Sequence, residues 1–263
     1  METPTTDCQL RMSNMRDSPE AYPGICELAD AEQGLNRYYS NIVSLIFRWV
    51  DSNPKPISEM RILEFGAGTG FLAEIIQEKY KVTVDCLEID ATLLSMMQKK
   101  GLNTFKSLDS IECQYDLIYT SNVLEHIDND VLTLIKLKSY LADNGMLAIY
   151  VPAFPVLFSD LDRSVGHFRR YTKSDLRSKL QSNGYTIRKL QFADSLGFFA
   201  SLLIRFSGYK SKGNLGGLKS IKFYDRFIFP ISKILDIIGF KYVFGKNLFS
   251  LSEVKGQNNV EEL

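Results

Sequence analysis

Glu64, Gly66, Gly68, Gly70 and Glu88 are the residues whose types and spacing bear most directly on chemistry. A short apolar run, Arg61 to Phe65, includes a carboxylate and passes through glycines at alternate positions into the amphipathic segment Phe71 to Tyr80. That pattern predicts a strand, a tight turn and the first turn of a helix. Glycine admits backbone angles closed to other residues and lets a ligand approach without a Cβ in its way. The first N–H groups of the helix then face that ligand as a partial positive charge. A second strand, Val82 to Glu88, ends in an acid suited to accept hydrogen bonds from ribose hydroxyls. Together these residues predict a site for an adenosine-containing ligand at the carboxyl edge of a parallel sheet. The sequence has two histidines, His126 and His167. Both fall in segments expected on that edge, which makes them the first candidates for moving a proton.

The elements that position these groups follow from periodicity. A helix over 34–50 carries Leu35, Tyr38, Tyr39, Ile42, Val43, Ile46 and Phe47 at helical spacing. Strands are predicted near 61–65, 82–88, 102–106, 114–121, 146–151, 185–192 and 247–254. Helices are predicted between them at 71–80, 91–100 and 129–142, and from a Thr172 cap to about Ser182. Short apolar strands alternating with helices mean a parallel sheet covered on both faces. Residues 196–245, before the last strand, form an insertion rich in Phe, Ile and Leu with interspersed Lys, Arg and Asp. Within it Phe223, Phe227, Ile231, Ile234, Leu235 and Ile238 fall at helical spacing, and Pro230 is expected to kink or break the helix. The insertion reads as a helical lid or pocket wall. A dimer surface and an amphipathic face meeting a lipid-linked substrate are the other readings.

Details of the turn select the ligand. A dinucleotide fingerprint would need glycine where Phe71 stands, and no Gly-Lys-Ser/Thr of a Walker loop is present. Glu64 would repel a pyrophosphate but suits a ligand with an ammonium and a sulfonium, both of which S-adenosylmethionine carries. The turn resembles motif I of the class I S-adenosylmethionine-dependent methyltransferases, and the resemblance runs from about residue 35 to 255. Asn122-Val123-Leu124-Glu125-His126 and Gly166-His167-Phe168-Arg169-Arg170-Tyr171 resemble one subgroup of that family. So do Tyr224-Asp225-Arg226 and Asn247-Leu248-Phe249-Ser250-Leu251. Members of that subgroup are largely without an assigned substrate, and several are associated with polysaccharide or glycolipid assembly.

The resemblance implies an α/β fold: a Rossmann-like, doubly wound, mostly parallel sheet of seven strands with helices on both faces. It also implies an extra N-terminal helix and a helical insertion before the last strand. It implies S-adenosyl-L-methionine as cofactor, with Glu64, Phe65, Gly66, Ala67, Gly68, Thr69 and Gly70 around its methionine and ribose portions. Glu88 would hold the ribose, Ile89 pack on the adenine, and Leu108 and Asp109 flank the adenine amino group. Ser121 and Asn122 would approach the methionine end. Tyr39, with Tyr38 as the alternate, would close over the cofactor or else pack in the core. His167 is expected as base or substrate anchor, and His126 as a second catalytic candidate or a loop cap. Asp162, Arg169, Arg170 and Tyr171 are expected at the substrate. The arginines would either clamp a carboxylate or phosphate or pair with Asp160, Asp162 or Asp175.

Composition narrows the remaining choices. The 263 residues suit one domain, drawn over 34–263, preceded by a polar segment 1–33 with Pro4, Pro19, Pro23 and Gly24 that is expected to be mobile. Net charge is zero, so no global basic field is available to hold nucleic acid. Cys8, Cys26, Cys86 and Cys113 are scattered, with no histidine at metal-ligand spacing. No metal is therefore expected, and reduced thiols in a cytoplasm are the natural reading. No run approaches the roughly 20 apolar residues of a membrane span. The expected activity is methyl transfer, most directly to an oxygen of a small-molecule, glycan or glycolipid acceptor. One alternative is an RNA methyltransferase, which a local patch of Arg163, Arg169, Arg170, Lys173 and Arg177 keeps open. The others are a nicotinamide-dependent oxidoreductase on a similar sheet and a cofactor-binding scaffold. A homodimer and peripheral membrane contact are the partner expectations beyond the substrate.

Overall fold

A computed structural model describes residues 25–50, 55–206 and 217–254. Its seven strands are β1 (Ile62–Phe65), β2 (Val84–Leu87), β3 (Asn103–Phe105), β4 (Tyr115–Ser121), β5 (Leu141–Pro152), β6 (Tyr185–Ala193) and β7 (Asn247–Val254). They form one sheet in the order β3-β2-β1-β4-β5-β7-β6, in which only β7 runs antiparallel to its neighbours. The chain leaves β1 toward β3 and returns to the other side at β4. That places the switch point of the sheet beside the glycine turn.

Ten α-helices accompany the sheet among the described residues: α1 (Ile25–Gly34), α2 (Asn36–Val50), α3 (Phe71–Tyr80), α4 (Ala91–Lys99), α5 (Asp130–Ser139), α6 (Asp160–Ser164), α7 (Lys173–Ser182), α8 (Ser195–Phe206), α9 (Gly217–Phe223) and α10 (Phe229–Ile238). Alternate strand residues point to opposite faces, so two cores form. Ile62, Leu117 and Tyr119 pack against Ile42 and Phe47 of α2, Ile76 of α3 and Met97 of α4. Leu63, Ile118 and Leu147 pack against Leu134 and Leu137 of α5 and Leu176 and Leu180 of α7. Helix starts are fixed by side chains: Asp90 accepts from the N–H groups of Thr92 and Leu93, Asn129 from Leu132, and Thr172 from Asp175.

Two local expectations are corrected and a third is located. Residues 25–33, assigned to a mobile segment, are helical, because Ile25 is buried and Gly34 lies so close to Ile221 of α9 that a Cβ would stand 2.4 Å from its Cγ2; residues 1–24 lie outside the described residues. Helix α5 ends at Ser139 rather than 142. Strand β5 starts at Leu141, breaks register between Leu141 and Met146, and turns through Asn144 at φ 60°. Finally, the break expected at Pro230 is a change of helix type just before it. A π-helical turn, Tyr224–Ile228, precedes it, with the Phe229 N–H donating to the Tyr224 carbonyl, and the proline enters α10 in its first turn. Proline has no N–H to lose there.

Candidate active site

The carboxyl edge is built first from backbone. Gly66, Gly68 and Gly70 have φ of 75°, 57° and 78°, the left-handed region. The N–H groups of Gly66 and Ala67 both donate to the Leu87 carbonyl, which ties the turn to the end of β2. Added Cβ atoms at Gly66 and Gly70 would stand 2.5 Å from Val123 Cγ2 and 2.3 Å from Leu102 Cδ1. At Gly68 only Leu28 Cδ2 of α1 comes near, at 3.4 Å. Two glycines are thus required by the protein's own packing as well as by φ, while Gly68 leaves its face clear for a ligand. Glu88 closes the turn, accepting from Gly68 N–H at 2.9 Å and from the N–H groups of Ile89 and Asp90. Ile89 beside it is 76% exposed.

Glu64 lies beneath this turn, buried, and accepts the Tyr119 hydroxyl at 2.9 Å. Burial pushes its carboxyl up to about 8, against the hydrogen bond from Tyr119. A buried carboxylate next to a glycine turn fits a cationic ligand group, which would restore the ionised form. Thr69 donates to Glu32 of α1, whose carboxyl burial raises to about 7. Tyr39 sits edge-on against Phe71, ring centroids 5.1 Å apart. Phe65 is half-buried at the end of β1. Leu108, half-buried, and Asp109, exposed, form a 3₁₀ turn after β3, and Ser121 and Asn122 stand half-buried at the end of β4.

The ends of β4, β5 and β6 leave the sheet through Asn122, Phe154 and Asp194, all non-glycine residues with φ between 54° and 62°. Such conformations are costly and gather at functional sites. Beyond Asn122, a 3₁₀ turn carries Glu125 and His126 toward the loop after α6 that holds His167. The Phe168 N–H donates to the Glu125 carbonyl at 2.8 Å and joins the two loops. His126 and His167 meet edge to face at 4.6 Å between centroids. Burial, with His167 adjoining, lowers the His126 imidazole to about 4, so it is neutral at neutral pH. The Glu125 carboxylate is fully buried, neither oxygen has a hydrogen-bond partner, and burial raises it to about 8.

His167 Nδ1 lies 2.8 Å from Asp162 Oδ1. Arg170 grips the same carboxylate bidentately at 2.8 and 3.0 Å, and the N–H and hydroxyl of Ser159 add two more bonds. Burial opposes ionisation of Asp162, but the bonds from His167 and Arg170 outweigh it and hold the acid well below the usual range. Arg169 pairs with Asp130 at 3.1 Å, and the fully buried Tyr171 donates its hydroxyl to the same carboxylate at 2.7 Å.

The structure gives Arg170 the Asp162 pairing that the sequence offered as the alternative to a substrate clamp, and gives Arg169 a different acid, Asp130. Asp162 and Arg170 pair beside His167, while Tyr171 shares Asp130 with Arg169, because a buried ion needs a close partner. Sequence reasoning missed Asp162 as an orienting acid, whose only local signal is its place five residues before His167. Lys246, just before β7, places its ammonium 5.9 Å from the Tyr38 ring centre. Burial lowers the pKa of that lysine.

This sheet order, with one antiparallel strand beside the edge and a glycine turn at the switch point, is the architecture of the Rossmann-like methyltransferases. A family model described as "Methyltransferase domain" matches residues 35–190, more than half of the chain, and the protein belongs to that family. It is thus a methyltransferase with S-adenosyl-L-methionine as its methyl donor, and the nicotinamide alternative is set aside. No curated protein matches the sequence. Among solved structures, the chain is similar to Haemonchus contortus phosphoethanolamine N-methyltransferase 2 in complex with S-adenosyl-L-methionine, at 14% identity and TM-score 0.56. That match covers 84% of this chain and 53% of the other. It is also similar to a SAM-dependent methyltransferase from Archaeoglobus fulgidus, at 16% identity and TM-score 0.54, over 94% of this chain and 99% of the other. At these identities the likeness concerns the fold.

Proposed function

We propose that the protein methylates an oxygen of a glycan, glycolipid or other small-molecule acceptor. The Asp162–His167 pair carries this reading. An alcohol must lose its proton as it attacks, and an oriented imidazole is the usual acceptor, contributing typically 10² to 10⁴ in rate. In this reading the ionised Asp162 accepts from His167 Nδ1–H, and Nε2 is the atom that would take the proton. When bound, S-adenosylmethionine supplies an electrophilic methyl group on a sulfonium. In this reading the glycine turn, Glu64 and Glu88 hold the cofactor. Ile89, Leu108 and Asp109 surround the adenine, Ser121 and Asn122 face the methionine end, and Tyr39 shields it. Alignment of acceptor and methyl by a rigid edge can remove roughly 7–11 kcal/mol of barrier.

The insertion supports a lipid-bearing acceptor and peripheral membrane contact. Leu203, Phe206, Ile238 and Val243 are each at least two-thirds exposed. Lys219, Lys222, Arg226 and Lys233 stand exposed among them. The two acids of the segment face inward: Asp225 accepts from the N–H groups of Arg37 and Tyr38, and Asp236 from Asp194 and Ser195. An apolar face whose surface charge is basic suits an anionic lipid surface. No helix among the described residues is long and apolar enough to cross a membrane. The resemblance of the Asn-Val-Leu-Glu-His and Gly-His-x-Arg-Arg-Tyr segments to a subgroup associated with glycolipid assembly points the same way.

The RNA alternative is weakened by pairing, since Arg163 bonds Asp160, Arg169 bonds Asp130, Arg170 bonds Asp162 and Lys173 bonds the Tyr242 carbonyl. The test is incubation with isotopically labelled S-adenosylmethionine and separate lipid, aqueous and RNA extracts. Mass spectrometry of the lipid or glycan fraction should find a product heavier by one labelled methyl. Label confined to RNA, or to nitrogen, would overturn the reading.

A further inference from the structure

Glu125 poses a chemical problem that methyl transfer alone does not resolve. A carboxyl group fully shut off from water is expected to have hydrogen-bond partners, yet both of its oxygens lack one. What faces it is imidazole. Glu125 Oε1 stands 3.9 Å from His167 Nε2, too far for a hydrogen bond. His126 completes the cluster, and one donor atom from each of the three residues lies within 4.8 Å of the others.

Two donors bound tetrahedrally to one zinc-like cation at about 2.0–2.2 Å each lie about 3.3–3.6 Å apart. The Glu125–His167 separation of 3.9 Å is a few tenths of an ångström longer, and His126 lies within 4.8 Å of both, so closing the set on a cation would take side-chain rotation in the two loops. The other side of each ring is already engaged. His167 Nδ1 bonds Asp162, which Arg170 and Ser159 fix in turn, and His126 is hydrogen-bonded to the Gly166 backbone. Imidazoles that ligate metals are held this way, by a carboxylate or carbonyl on the nitrogen away from the ion.

We propose that Glu125, His126 and His167 bind a divalent first-row transition cation, through a carboxylate oxygen and one nitrogen of each ring. One carboxylate and two imidazoles leave a net positive centre with at least one open coordination position. That is the ligand count of catalytic rather than purely structural zinc sites. The site stands independently of the methyl acceptor's identity. It makes two states of His167 exclusive, since Nε2 coordinates when the cation is present and accepts a proton when it is absent. No metal signature was legible in the sequence because the ligands come from two separate loops, joined by the Phe168–Glu125 backbone bond.

The test uses the full chain stripped with a chelator, with Zn²⁺ as calorimetric probe and Co²⁺ as spectroscopic probe. Wild type should bind about one equivalent of Zn²⁺. Its Co²⁺ adduct should show visible bands of a low-symmetry site without thiolate charge transfer, which excludes capture by cysteines. Glu125→Gln should weaken Zn²⁺ at least tenfold, and Asp162→Asn, which only orients a ligand, by about 10–100-fold. Retained S-adenosylhomocysteine binding in both variants reports that they are folded, and reads the cofactor site separately. Absence of Zn²⁺ binding by wild type, equal binding by Glu125→Gln, or a thiolate spectrum would overturn the proposal; a neutral carboxylic acid at Glu125 would be the explanation left.

Discussion

The two sides of the carboxyl edge are built in different ways. On the side of the glycine turn, Gly66 to Glu88 are held together by backbone N–H groups, left-handed glycines and one strand-end acid, all within a single β-α-β unit. On the side of the insertion, the carboxylate contacts span the chain. Asp225 in the π turn accepts from Arg37 and Tyr38 and caps α2 from the far end of the chain. Asp194 accepts from Tyr224 and Ser232, and Asp236 from Ser195. The two halves meet where α9 of the insertion packs on α1, whose Glu32 and Leu28 reach the glycine turn. The lesson is physical. A site made of backbone geometry tolerates little change in type, whereas one made of side-chain networks can be re-aimed by loops without disturbing the sheet.

The contrast predicts unequal sensitivity. Gly68→Arg should abolish S-adenosylhomocysteine binding in calorimetry, a loss beyond about 10³-fold, or roughly 4 kcal/mol, while leaving the insertion-side network folded by circular dichroism. Retained micromolar binding would break the comparison. His167→Gln should reduce turnover by about 10²-fold or more with cofactor affinity unchanged. Equal losses in both quantities would mean that the two halves are not separable.

Asp225→Ala should lower stability by about 1–2 kcal/mol, the usual cost of a lost helix cap, read as a lower denaturation midpoint. An unchanged midpoint would deny the insertion its role in holding α2. Glu64 offers a pH test. Its carboxyl is raised from 4.5 to about 8 in the folded protein. Its contribution is therefore fully present below 4.5 and is lost as pH rises through 8. Glu64→Gln should flatten the fall of the melting temperature between pH 4.5 and about 8 in the cofactor-free protein and match wild type near the acid end. A steeper fall would show the opposite sign. The smallest effect is expected on the insertion, where Lys222→Glu or Lys233→Glu should each weaken binding to phosphatidylserine vesicles by roughly fivefold at low salt. If both variants sediment like wild type while gel filtration shows a dimer, the apolar face belongs to a second copy of the chain.

The amino-acid sequence by itself determined the sheet, the turn and the cofactor. The glycine spacing, the acids at 64 and 88 and the periodicity of the helices are short-range signals, and backbone sterics read them one way. Strand β7 and helix α7 fall where the pattern put them, because a cap residue or an alternating apolar run marks each locally. Only the tertiary structure decided that Arg169 and Tyr171 share Asp130, and that Glu125 lies buried against two histidines. Those outcomes depend on which loop lies beside which. A charged side chain takes whichever partner the fold brings within reach of its desolvated surface, and spacing along the chain carries no record of that choice.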